Sequence, residues 1–193
     1  FNPTLMIAPL QRSNCKPVPW PTWWMGIVLA IGVLLLALPA IAAPTPAKFS
    51  KQYAPPPSYS NAELAHQDFS GQTLRVAEFS NANLNRVDFT NADLTGAVLS
   101  ASTMTDTSLR GANLTQSMLD QVKMVRTDLT DAILANAILL RTTFEAVTIA
   151  GADFTDAILD GAQVKQLCQI ATGTNTQTQV DTKVSLNCPG SSG

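Results

Sequence analysis

Between residues 62 and 166 the chain keeps one strict period of five. Every fifth residue is large and apolar: Leu64, Phe69, Leu74, Phe79, Leu84, Phe89, Leu94, Leu99, Met104, Leu109, Leu114, Leu119, Met124, Leu129, Leu134, Leu139, Phe144, Ile149, Phe154, Leu159 and Val164. Two residues before each stands Ala, Val, Ser or Thr, except at Gln67 and Gln72. A period of five suits neither a helix, at 3.6, nor a strand, at 2. A helix would turn successive large residues onto different faces, and a strand would send every second one to solvent. The pattern requires a fold that brings each pentad to an equivalent place, which is a solenoid. The large residue fills the interior, and the small one sits inside where space is tight. The other three positions are mostly Asp, Asn, Thr, Ser, Gln, Arg or Gly and face water.

Ahead of the repeat, Met25 to Ala43 carries no charge, with Arg12 and Lys16 before it and Ala40 and Ala42 in A-x-A spacing. A basic stretch, an apolar stretch and small residues before a cut describe an export signal over residues 1–42, cleaved after Ala42. The lack of paired arginines favours a Sec-type route. The competing reading is an uncleaved membrane anchor, with Trp20, Trp23 and Trp24 at the interface. Membrane contact is then expected through residues 25–43 only. Residues 43–61, with Pro55, Pro56 and Pro57, read as an extended linker or strap. The whole chain has net charge −2. Loss of Arg12 and Lys16 from 12 basic residues, against 14 acidic ones kept, makes the mature chain −4. That excludes the basic footprint of a nucleic-acid binder. Cys15 falls in the signal. Cys168 and Cys188 remain, and two cysteines in an exported chain point to one disulfide, with metal binding the weaker alternative.

The pentads Ala82-Asn83-Leu84, Ala92-Asp93-Leu94, Ala112-Asn113-Leu114 and Ala152-Asp153-Phe154 carry the pattern Ala-(Asp/Asn)-Leu-x-x. Residues 62–166 thereby resemble the pentapeptide-repeat family. The resemblance implies an all-β fold, a right-handed quadrilateral β-helix with four pentads per coil and about five coils. At ~4.8 Å between stacked strands the column is about 25 Å long. Residues i and i+20 then stack, so Leu64, Leu84, Met104, Met124, Phe144 and Val164 form one inner ladder. Phe79, Leu99, Leu119, Leu139 and Leu159 form another. Phenylalanine falls in the first and last coils, where its wider rings are expected to plug the ends. Beyond the repeat, residues 167–193 are expected to form an α-helical cap. Gln163 to Ala171 has helical spacing, and Asp181 is placed to N-cap a second short helix through Asn187. The stretches Gln166–Asn175 and Thr182–Cys188, with Pro57–Ser60 and Phe69–Leu74, resemble the thylakoid lumenal group of this family in cyanobacteria and chloroplasts. That likeness implies a lumenal protein whose two cap helices are tied by Cys168 and Cys188, and it carries over no catalytic residue.

The repeat offers no nucleophile–base pair, no glycine-rich phosphate loop and no metal-ligand cluster, so no enzyme, cofactor or metal is expected. His66 is the only histidine and reads as a solvent-facing residue of the first coil. Asp68, Asp88 and Asp128 share an outward column interrupted by Ser108, and a solvated face is the expectation there. A cation site, or mimicry of DNA toward gyrase, is the alternative. The informative departure is apolar. The outward position before the large residue runs Glu78, Val98, Met118, Ile138, Ile158 on one face, with Leu140 beside it and Ile133 on the next face. An exposed apolar stripe marks an interface, for an unidentified protein partner or for the chain's own residues 43–60. The expected role is a scaffold or interaction module. A redox-responsive assembly or regulatory factor for a photosynthetic membrane complex is the alternative.

Overall fold

The computed structural model describes residues 55–191. The signal or anchor and most of the proline-rich linker lie outside the described residues. Within them, every bridge of the repeat is parallel and joins residues 20 apart, from Ser58↔Glu78 to Ile138↔Ile158. Four pentads therefore separate each stacked pair. Three consecutive bridges lengthen into short strands, β1 (Thr103–Thr105), β2 (Lys123–Val125) and β3 (Thr143–Glu145), paired in parallel register with Met104 on Met124 on Phe144.

Backbone donors explain the period. Take Ala82–Arg86, with Leu84 as the large residue. Ala82 N–H closes the preceding turn onto the Phe79 carbonyl (3.1 Å), and Asn83 N–H donates to Ala62 in the coil before (3.0 Å). Leu84 and Arg86 donate to Thr103 (2.9 Å) and Thr105 (2.8 Å) in the coil after. Asn85 N–H has no backbone acceptor, and the Asn83 side chain takes it at 3.2 Å. An unpaired backbone amide is costly, so one position in five favours a short side-chain acceptor. Each turn also needs positive φ at its third residue, as in a type II turn. Asn81, Asn91, Asp131 and Asn136 supply it with φ of 57, 57, 57 and 58°. Gly151 does so where a Cβ would come within 2.5 Å of Asp131 Oδ1.

The column begins earlier and ends earlier than the period suggests. Glu78 N–H donates to the Pro57 carbonyl, and Tyr59 N–H donates to Glu78. Residues 57–61 are thus a pentad, with Tyr59 in the large position, rather than linker. At the other end, residues 162–166 belong to helix α1 (Gly161–Leu167), so Val164 is not a rung above Phe144. The cause is Asp160, whose carboxylate accepts from Ala162 and Gln163 while Gln163 returns a bond to Asp160 N–H, a full capping box. Helix α2 is shorter than expected, Thr182–Ser185, and is capped by Asp181 as expected.

The interior is mainly apolar, with Ser102, Thr107, Ser117, Thr127 and Thr142 buried at the small position. Leu84, Leu94, Leu99, Met104, Leu114 and Leu129 are fully buried. In the first coils Tyr59 stacks on Phe79 (4.9 Å between centroids) and Phe69 on Phe89 (5.4 Å), with edge-to-face contacts between the pairs. Where Thr replaces Ala in the small position its hydroxyl is satisfied across the coil, Thr107 to the Leu84 carbonyl (2.8 Å) and Thr127 to Met104 (3.1 Å). Cys168 and Cys188 form a disulfide across 5.6 Å between Cα atoms.

Candidate interaction surface

The acidic column has a local explanation. Asp68, Asp88 and Asp128 each accept the amide two residues on, from Ser70, Thr90 and Thr130 at 2.8, 2.8 and 2.9 Å. Asp128 also holds Arg110 at 3.0 Å. The Ser70 hydroxyl and amide keep the Asp68 carboxyl below its ordinary pKa. For Asp128, burial pushes upward, but Thr130 and Arg110 outweigh it and the net shift is down. These carboxylates do structural work inside the repeat. Among the described residues no group of three or more His, Cys, Asp or Glu is placed to hold a metal ion. His66 is exposed, with positive φ, on a groove of about 340 Å³ shared with Arg86, Asp106 and Arg126. Arg126 grips Asp106 with two bonds, at 2.6 and 2.9 Å.

The apolar stripe is one vertical ladder. Glu78, Val98, Met118, Ile138 and Ile158 are successive parallel partners on a single face. Met118, Ile158 and Leu140 are 41, 48 and 38% exposed, while Val98 and Ile138 are half-buried. Ile133 leaves the set. It is 9% exposed, on the neighbouring face between Asn113 and Asp153. The C-terminal segment crosses that face, with Asn175 Nδ2 donating to the carbonyls of Asp131 (3.1 Å), Ala132 (3.4 Å) and Gly151 (2.8 Å). Long-range packing of this kind leaves no trace in a five-residue pattern.

Two features escape the pattern. Val76, 54% exposed with φ of 51°, stands at the corner just before Glu78 and adds an apolar group at the head of the ladder. A β-branched residue in that conformation is strained, and its presence in a turn position was the available signal. The second feature is a missing acceptor. Val98, Met118 and Ile138 occupy the position where Asp or Asn accepts the amide two residues on. Ser100 and Leu140 N–H therefore lack that side-chain acceptor, as do Arg75, Arg110, Ala135 and Ala150 on other faces, whereas the Asp120 amide meets its own carboxylate. The face thus carries bulky aliphatic side chains where most other rungs carry polar ones. Asp120, bonded to the Ser100 hydroxyl and 3.8 Å from Arg141, gives it a polar margin.

A sequence profile for pentapeptide repeats matches in eight copies, over residues 60–100, 77–116, 92–131 and 123–161. Among solved structures, a pentapeptide-repeat protein of the Arabidopsis thaliana thylakoid lumen is 33% identical. The match covers 68% of this chain and 91% of that one, at a TM-score of 0.67. A pentapeptide-repeat protein from Nostoc Pcc 7120 is 24% identical over 56% of this chain and 91% of its own, at 0.46. QnrB1, a plasmid-mediated fluoroquinolone resistance protein, is 17% identical over 58% and 69%, at 0.26. At those TM-scores the last two carry no argument about this chain. No curated protein matches.

Proposed function

The chain belongs to the pentapeptide-repeat family, and on that premise we propose that it is a non-enzymatic interaction module of an exported, oxidising compartment of the thylakoid-lumen kind. Its working surface is the face of Val98, Met118, Ile138, Leu140 and Ile158. One observation carries the reading. Where the repeat elsewhere places mostly polar residues, Asp and Asn foremost, this face places Val98, Met118, Ile138 and Ile158, and Met118 and Ile158 are exposed together with Leu140. The 33% identity to a lumenal protein and the disulfide support the compartment. A right-handed column of about five coils with a helical cap gives the module a rigid flat face, and stacked repeats of this sort suit binding.

The test replaces Ile138 and Ile158 together with Thr. The expected result is loss of the partner captured from lumenal extract by the intact protein, with the melting temperature within about 2 °C of the parent, as for surface substitutions. Undiminished capture with a lowered melting temperature assigns the stripe to internal packing and removes this reading.

A further inference from the structure

We infer that Cys168 is the entry point for thiol–disulfide exchange with a dithiol protein, and that the Cys168–Cys188 bond is a latch holding the C-terminal segment over Ile133. The two sulfurs are not equivalent. Cys188 is 6% exposed and packs in the core with Leu167, Ala171 and Leu186. Cys168, at the C-terminus of α1, is half-buried and lines an open groove of about 510 Å³ together with Val164, Lys165, Asn187 and Pro189. Lys165 is the one charged side chain in that lining. The attacking species in exchange is a thiolate, and a nearby ammonium favours an approaching anion. Access and charge therefore converge on one sulfur.

The step balances without further reagents. A thiolate of the dithiol bonds to Cys168 Sγ as the S–S bond breaks, and Cys188 leaves as a thiolate that takes a proton from water. The second thiol of the partner, deprotonated to water, attacks the first partner sulfur. Cys168 is released as a thiolate and is protonated in turn. The protein gains two electrons and two protons, and the dithiol becomes a disulfide.

The loop between the cysteines spans a sequence separation of 20 and contains both the Asn175 contacts and α2. Cutting it returns closure entropy to the open state, enough to raise the opened population about 100-fold. Opening lifts Asn175 from the Asp131, Ala132 and Gly151 carbonyls and uncovers Ile133, adding an aliphatic group beside the Ile138 ladder. That last consequence rests on the interface reading above, whereas the exchange site and the latch do not.

The oxidised protein is incubated with a dithiol oxidoreductase whose second cysteine is replaced by serine, which arrests exchange at the mixed disulfide. Peptide mass mapping is expected to find the adduct on Cys168 at least tenfold over Cys188; equal labelling, or a majority on Cys188, overturns the assignment. Lys165→Glu should slow adduct formation about tenfold, and an unchanged rate removes the role of that charge. Amide exchange of the fully reduced protein should accelerate about 100-fold over residues 171–187 and stay constant over Leu84–Leu134. Uniform acceleration along the chain makes the bond a general staple and ends the latch. None of these readouts moves if the aliphatic ladder binds nothing, so failure here and failure of the interaction reading are told apart.

Discussion

The two ends of the column are finished by different physics. In the first coils the interior is filled by rings, Tyr59 on Phe79 and Phe69 on Phe89, which bury large area and, apart from the Tyr59 hydroxyl, carry no polar group. At the last coil the work is polar. Gln163 Nε2 reaches the Leu139 and Thr142 carbonyls at 2.7 and 2.8 Å, and Ser185 Oγ accepts from Phe154 N–H at 3.0 Å. Asn175 takes three more carbonyls, and a disulfide ties the segment that supplies these groups. A terminal coil leaves a row of ladder groups without a next coil, and each must find a partner or meet water. The comparison teaches that a solenoid can add core at one end and must add hydrogen-bonding side chains where it buries the other.

The largest test of that contrast is Phe79→Ala. Phe79 is fully buried among three rings, and its loss should cost about 3–5 kcal/mol by denaturant titration. The expected damage centres on the first coils, seen as exchange of the Leu84 and Phe89 amides. Replacing both Cys168 and Cys188 with Ser should cost about 3 kcal/mol and loosen the opposite end alone. If the aromatic coils lost protection to the same degree, the two ends would be one cooperative unit and the contrast would fail. Asn175→Ala comes next, at about 1–3 kcal/mol, because it orphans buried carbonyls. Asp160→Ala removes the capping box of α1 for about 1 kcal/mol, measurable as a small drop in melting temperature.

Acid is expected to act along the column rather than at either end. Asp93, Asp120 and Asp128 all titrate below their ordinary value. Ser100 leads for Asp120, while for Asp93 and Asp128 threonine and arginine partners outweigh burial. A depressed folded pKa contributes stability that is fully present above the unfolded value, near 4, and is lost as pH falls through the folded one. Melting temperature should therefore hold down to about pH 5 and then decline, with exchange rising over the coils as a whole. A decline confined to the cap would contradict this.

How much of this was legible in the residues differs by feature. The large and small positions announce the interior, because a period of five has no other use. The Asp181 cap and the cysteine pair were also readable from their local chemistry. Tyr59 and Val164 mark where the pattern misled. Tyr59 fits the interior with its ring yet stands in a proline-rich stretch, whereas Val164 keeps the register but is captured by the helix that Asp160 starts. Four residues of the proposed surface, Val98, Met118, Ile138 and Ile158, were legible because an aliphatic side chain in an Asp/Asn position stands out by type. Val76 was signalled only by a β-branched side chain at a turn corner.

The sequence by itself determined the β-helical repeat and its inner ladders, because burial of one large and one small side chain per pentad is a local requirement repeated along the chain. The tertiary structure alone decided that Ile133 is covered while Ile158 is open, and that Cys168 lines a groove while Cys188 is buried. Those outcomes depend on where a segment about 40 residues downstream of Ile133 comes to rest, on the hydrogen bonds of Asn175 and the tie at Cys188. Such bonds join residues far apart in the chain.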